Sequence, residues 1–80
     1  MPILYIRPGC HFCEKVLHAA AELGVAFDLK TIENPANLAE LMARGGKQQV
    51  PYLVDAEHGV EMYESDDIID HLHATFTPKA

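Results

Sequence analysis

Apolar positions come first as a continuous run, Ile3-Leu4-Tyr5-Ile6, and only then at helical spacing. A short run without alternation suits a central strand covered on both faces. Arg7-Pro8-Gly9 ends it. From His11 to Leu23, at about 100° per residue, Cys13, Val16, Leu17, Ala20 and Gly24 share one face, and Glu14, Lys15, His18 and Glu22 share the other. This predicts an amphipathic helix that Gly24 stops. Residues 25–32 alternate in their second half and predict a strand at the side of the sheet, reached by a right-handed crossover. Asn34-Pro35 is a helix entry, with asparagine as cap and proline at the first helical position. Leu38, Leu41 and Met42 are its expected buried stripe, and Arg44-Gly45-Gly46 closes it.

Val50-Pro51-Tyr52-Leu53-Val54 then predicts a strand with a proline at its entrance, Glu57-His58-Gly59 a turn, and residues 60–63 the returning arm of a hairpin. Ser65 is the expected cap of a last helix. Asp66 and Asp67 lie at the positive end of its dipole, and Ile68, Ile69, Leu72 and Phe76 form its core stripe. Thr77-Pro78-Lys79-Ala80 is expected to fray. The order is βαβ, helix, β-hairpin, helix, an α/β pattern without repeats or linkers.

Eighty residues make one domain, over 1–80, near the lower size at which a single core suffices. Lys+Arg number 6 against 12 Asp+Glu, a net charge of −6, with no basic run, so nucleic acid is not an expected partner. The N-terminal apolar run is too short for a signal peptide or a membrane span, and no membrane partner is expected. A reducing, cytoplasmic setting follows as the expectation.

The chain has 2 cysteines, Cys10 and Cys13, placed where the first strand gives way to the first helix. A bridge between them would close only a tiny loop and add little stability, which points to reactive thiols. A helix start presents unpaired N–H groups and about half a positive charge, so a thiolate at Cys10 is favoured there, and Arg7 adds a full charge. Such a sulfur also leaves a mixed disulfide readily, which suits a catalyst that accepts and releases a thiol. Cys10 at the open helix start is therefore the expected nucleophile. Cys13, one turn along and facing the core, is the expected resolving thiol.

Cys-x-x-Cys is also half a zinc site, with His11 between the thiols, but a closed site needs two further ligands. His71 and His73 point about 200° apart on their helix and cannot supply them. His18 and His58 are expected to be surface histidines, and no metal site made of protein ligands alone is expected.

With the thiol pair, the Val50-Pro51 strand entry and the Ser65-Asp66-Asp67 helix start, the chain resembles a glutaredoxin of the thioredoxin superfamily over nearly all its length. Gly46-Lys47-Gln48-Gln49-Val50-Pro51 and Tyr63-Glu64-Ser65 are particularly similar to the transferase-like glutaredoxins and to the N-terminal domain of glutathione transferases. The helical second domain that such proteins carry is not expected within these 80 residues. The resemblance implies a thioredoxin-like fold, βαβ-α-ββ-α, with a four-stranded mixed sheet flanked by three helices. It also implies a cis bond before Pro51 and main-chain pairing of Val50 with the cysteinyl part of glutathione.

The ends of that tripeptide find partners by charge. Its γ-glutamyl carboxylate suits the N–H groups at Ser65 and Asp66, its ammonium suits Asp67 or Glu64, and its glycyl carboxylate suits Arg7, Lys47 or Gln49. His11 and Phe12, between the cysteines, complete the expected contact set. The family's commonest motif has proline and tyrosine at those two positions, and Gly-Gly where this chain has Tyr63-Glu64. The implied activity is glutathione-dependent thiol–disulfide exchange on disulfide-containing or glutathionylated proteins, with glutathione as co-substrate. Two rivals share the fold: a carrier of an iron–sulfur cluster held between two protomers by Cys10 and glutathione thiols, and an electron donor reduced by a flavoprotein without glutathione.

Overall fold

The computed structural model describes residues 1–76, so the expected tail, 77–80, lies outside the described residues. Strands β1 (Ile3–Ile6), β2 (Asp28–Thr31), β3 (Tyr52–Asp55) and β4 (Val60–Met62) form one sheet in the order β2-β1-β3-β4. β1 pairs parallel with β2 and antiparallel with β3, and β3 pairs antiparallel with β4. Helices α1 (His11–Leu23), α2 (Pro35–Gly45) and α3 (Ser65–Phe76) cover it.

Alternation along the two central strands sorts the core into two layers. Leu4 and Leu53 meet Val16 and Ala20 of α1 and Ile68 and Leu72 of α3. Tyr5, Tyr52 and Val54 point the other way, with Ile32 and with Leu41 of α2. β1 is covered on both faces, as its unbroken apolar run requires; Leu4 and Tyr5 are fully buried.

Local signals set most boundaries. Gly24 ends α1 at φ 71°, and Asn34 caps α2 by accepting the Ala36 N–H at 2.9 Å. Three expectations shift. β2 is only the second half of the expected strand, and Leu29 on this sheet edge is 48% exposed. Met42 is exposed, contrary to the expected stripe. α2 instead presents Leu41 and Gly45, and a Cβ at Gly45 would overlap the Tyr63 hydroxyl and ring. The space a third apolar side chain would fill is taken by that tyrosine.

The third shift concerns α3. The Ile68 N–H donates to the Glu64 carbonyl at 3.0 Å, so Glu64 holds the cap position and Ser65 begins the helix proper. Glu64 has φ 72°, the only non-glycine residue at positive φ among the described residues. The position favours glycine on steric grounds.

The turn between β3 and β4 is a short 3₁₀ segment, Ala56–His58, closed by Gly59. His58 is not an isolated surface histidine. Its Nδ1 lies 2.7 Å from Asp55 Oδ2, and His71 Nε2 of α3 lies 2.9 Å from the same oxygen. Burial acts to push the Asp55 carboxyl up, but hydrogen bonds from His71 and then His58 outweigh it and hold it below its usual range. The buried carboxylate therefore stays ionised and ties the hairpin to α3.

Candidate active site

The chain leaves β1 through Arg7-Pro8-Gly9-Cys10, where the Cys10 N–H donates to the Arg7 carbonyl at 3.2 Å and Gly9 has φ 74°. Proline second and glycine third at positive φ are the marks of a type II turn. This turn delivers Cys10 to the cap position of α1, with its backbone extended. Its Sγ accepts the Cys13 N–H at 3.2 Å, and its carbonyl accepts the Glu14 N–H at 3.1 Å. The sulfur thus occupies the place a serine or aspartate oxygen takes at a helix start, where a developing negative charge is favoured.

The expected contrast of an open Cys10 with a covered Cys13 needs correction. Cys10 is 6% exposed and Cys13 2%. Capping turns the Cys10 sulfur back over its own helix and away from solvent. Burial pushes the Cys13 thiol up to about 12, the hydrogen bond with Cys10 adds to this, and Arg7 opposes it through its main chain and its charge without overcoming it.

Because the folded chain holds that proton above its ordinary 9.0, stability present below pH 9 is lost as the pH rises toward about 12. Cys13→Ala is expected to flatten this alkaline loss, by up to about 1.4 kcal/mol per pH unit. Urea unfolding of both proteins across that range checks it, and equal slopes would contradict the assignment.

Two clefts, of about 310 and 300 Å³, share Gln49 and Val50 and so form a trough. The first is lined by Arg7, Ile32, Glu33 and Gln48 besides these two. The second adds Phe12, Pro51, Glu64, Ser65 and Asp66. The Val50-Pro51 bond between them is cis. One end of the trough therefore carries a guanidinium, and the other opens on the start of α3, where N–H groups lack intrahelical partners. Gln49 Nε2 donates to Glu64 Oε1 at 3.2 Å and links the two walls.

Most of the expected contact residues meet here: Arg7, Phe12, Gln49, Val50, Pro51, Glu64, Ser65 and Asp66. His11, Lys47 and Asp67 are exposed and line neither cleft. The His11 ring lies edge-on to Phe12 at 6.0 Å. Lys47 is clamped by Tyr63, whose hydroxyl donates to its carbonyl at 2.8 Å and accepts its N–H at 3.1 Å, and its ammonium sits 5.6 Å from the Tyr63 ring centroid. Asp66 also pairs with Lys15 at 3.0 Å, joining α1 to α3 across the rim of the trough.

Ile32, Glu33 and Gln48 escaped the sequence reading. Gln48 lies between Lys47 and Gln49, both expected contacts, while Ile32 and Glu33 follow an edge strand and carry no local signal.

A model of the glutathione S-transferase N-terminal domain matches residues 4–80. The chain belongs to that family. Its fold is thioredoxin-like, with glutaredoxin and transferase relatives. A delta-class glutathione transferase from Nilaparvata lugens superposes with a TM-score of 0.82 at 28% identity, over 99% of this chain and 38% of that one. A glutathione S-transferase from the Antarctic clam Laternula elliptica gives 0.79 at 26%, over 94% and 35%. The glutaredoxin of Brucella melitensis gives 0.67 at 26%, over 91% and 77%. This transferase-family domain thus spans little more than a third of those transferases and most of the glutaredoxin. A search of curated proteins returns no match. Among the described residues, no helix is long and apolar enough to cross a membrane.

Proposed function

We propose that this domain is a glutathione-dependent thiol–disulfide oxidoreductase acting through Cys10. The observation that carries the proposal is the Cys10 sulfur capping α1, in a family of glutathione-related domains. Further support comes from a trough whose ends match the ends of glutathione. Arg7 suits the glycyl carboxylate. Ser65, Asp66 and Glu64 suit the zwitterionic γ-glutamyl group, and Val50 suits the peptide between them.

In the proposed cycle the Cys10 thiolate attacks the glutathione sulfur of a mixed disulfide, and the substrate leaves as a thiolate that takes up a proton. A second glutathione thiolate then attacks the glutathione sulfur on Cys10. Oxidised glutathione forms and the Cys10 thiolate returns, so two glutathione electrons reduce one disulfide. Cys13 offers a branch by attacking Cys10 and expelling glutathione. Burial pushes the Cys13 thiol up and so disfavours the thiolate this branch needs, which favours the direct route. Disulfide-containing and glutathionylated proteins are the proposed substrates, and the test is glutathione-dependent turnover of a mixed disulfide, set out at the end of the Discussion.

Glu64 is where binding and stability pull apart. An L-residue at positive φ costs about 1–2 kcal/mol, and glycine returns about 0.4–1 kcal/mol of that as unfolded-chain entropy. Glu64→Gly is therefore expected to raise stability by roughly 0.5–1 kcal/mol while weakening glutathione binding through loss of the carboxylate and its Gln49 bond. Urea unfolding and calorimetric titration with glutathione check the two halves; a destabilised variant that binds normally would contradict both.

A further inference from the structure

We propose that Asp55, His58 and His71 form a binding site for one divalent transition-metal ion of the zinc type, separate from the thiol centre. The three residues offer ligand atoms that all lie within 4.8 Å of one another. They come from three elements: the end of β3, the 3₁₀ turn and the middle of α3. In the antiparallel register Val54 faces Ile3, so Asp55 lies beside the beginning of β1, while Cys10 follows its end. The cluster and the thiols occupy opposite ends of the sheet.

The donor set is two imidazole nitrogens and one carboxylate, which suits zinc and its neighbours in the first transition row. Tetrahedral ligands on zinc stand about 3.3 Å apart, from bond lengths of about 2.0–2.2 Å. His58 Nδ1 and His71 Nε2 now stand 2.7 and 2.9 Å from Asp55 Oδ2, so an ion enters if each pair opens by about 0.5 Å. His58 can move, since its side chain is 41% exposed, and it gives the ion a path from solvent.

The other two ligands are held in place. The Asp55 side chain is 3% exposed and the His71 side chain 12%. Thr75 Oγ1 lies 3.4 Å from His71 Nδ1, one helical turn away, and orients the ring from behind. Ligating histidines commonly have such a partner on their second nitrogen. Without metal, the hydrogen bonds place one ring proton on His58 Nδ1 and one on His71 Nε2, both facing the carboxylate. With metal, each proton moves to the other ring nitrogen, facing Thr75 in His71 and solvent in His58. Charge and protons balance without any redox step, and the ion replaces two hydrogen bonds by three coordinate bonds.

The test uses the full chain carrying Cys10→Ser and Cys13→Ser, which removes the thiols as competing zinc ligands. Zinc chloride is titrated by calorimetry, with the histidine ring nitrogens followed by NMR. One zinc per chain is expected, with a tautomer change at His58 and His71 and a Tm that rises with zinc. His58→Gln, at an exposed position and with an amide in place of the imidazole, should weaken binding at least about 10- to 100-fold, the loss produced by removing even the group behind a ligand. His18→Gln, at the exposed pair with Glu22, should leave it unchanged. Unaltered zinc affinity in His58→Gln, loss of binding in His18→Gln, or no binding up to about 1 mM zinc would each overturn the proposal.

Discussion

Replacing Cys10 by serine is expected to lower glutathione-dependent reduction of a mixed disulfide by at least about 10³-fold, because the one remaining thiol, Cys13, is buried. Cys13→Ser should keep most of the turnover. The difference follows from the place of the Cys10 sulfur and the proton on Cys13. Cys10 holds its sulfur against the first turn of α1, while Cys13 is buried with its thiol pushed up to about 12. Stopped-time assays on a glutathione mixed disulfide measure both variants. Equal losses at the two positions would mean that Cys13 is obligatory and that an internal disulfide carries the cycle. Full activity in Cys10→Ser would remove the nucleophile from the account.

The second large effect is expected far from any thiol. Gly45→Ala should destabilise the domain by about 1–3 kcal/mol, the usual cost of overpacking. In an ordinary helix the same change would stabilise by up to about 1 kcal/mol. Contact decides the sign here, because the new methyl group would overlap the Tyr63 hydroxyl and ring. Tyr63 has nowhere easy to go: its hydroxyl holds both the N–H and the carbonyl of Lys47, and its ring packs on Tyr52 with centroids 4.4 Å apart. Displacing it shifts the segment that leads from Lys47 into Gln49 and Val50, so glutathione binding should weaken as well. Tyr63→Phe, which loses the clamp but fills the same space, should cost only about 1 kcal/mol. Urea unfolding ranks the two, and a Gly45→Ala protein as stable as the parent would show that Tyr63 yields freely.

Much of this architecture could be read from the chain because its signals are local. Cys10 and Cys13 at a strand-to-helix turn, Gly24 and Gly46 at helix ends and Asn34-Pro35 at a helix start each act within a few residues. The unbroken run from Ile3 to Ile6 marked the doubly covered strand for the same reason. The cis bond before Pro51 was implied by resemblance, and nothing in residue chemistry alone demanded it.

What the sequence hid depends on partners distant along the chain. Met42 is exposed while Gly45 on the same helix meets Tyr63, and α3 is entered through Glu64, a left-handed residue that takes the cap position expected of Ser65. Lys47 lines neither cleft, and Tyr63 holds its main chain from sixteen residues away. The sequence compares His71 only with His73 on its own helix and leaves His58 a surface histidine, whereas the group that joins His58 and His71 is Asp55, buried at the end of β3. A buried aspartate after an apolar strand is a signal only once its neighbours are known.

The measurement that bears most directly on the central claim is the source of electrons. Purified protein is given a glutathione mixed disulfide, with reduced glutathione in one reaction and a flavoprotein disulfide reductase without glutathione in the other. Turnover with glutathione and none with the reductase alone is the predicted result. Turnover with the reductase alone, or with neither, would contradict it.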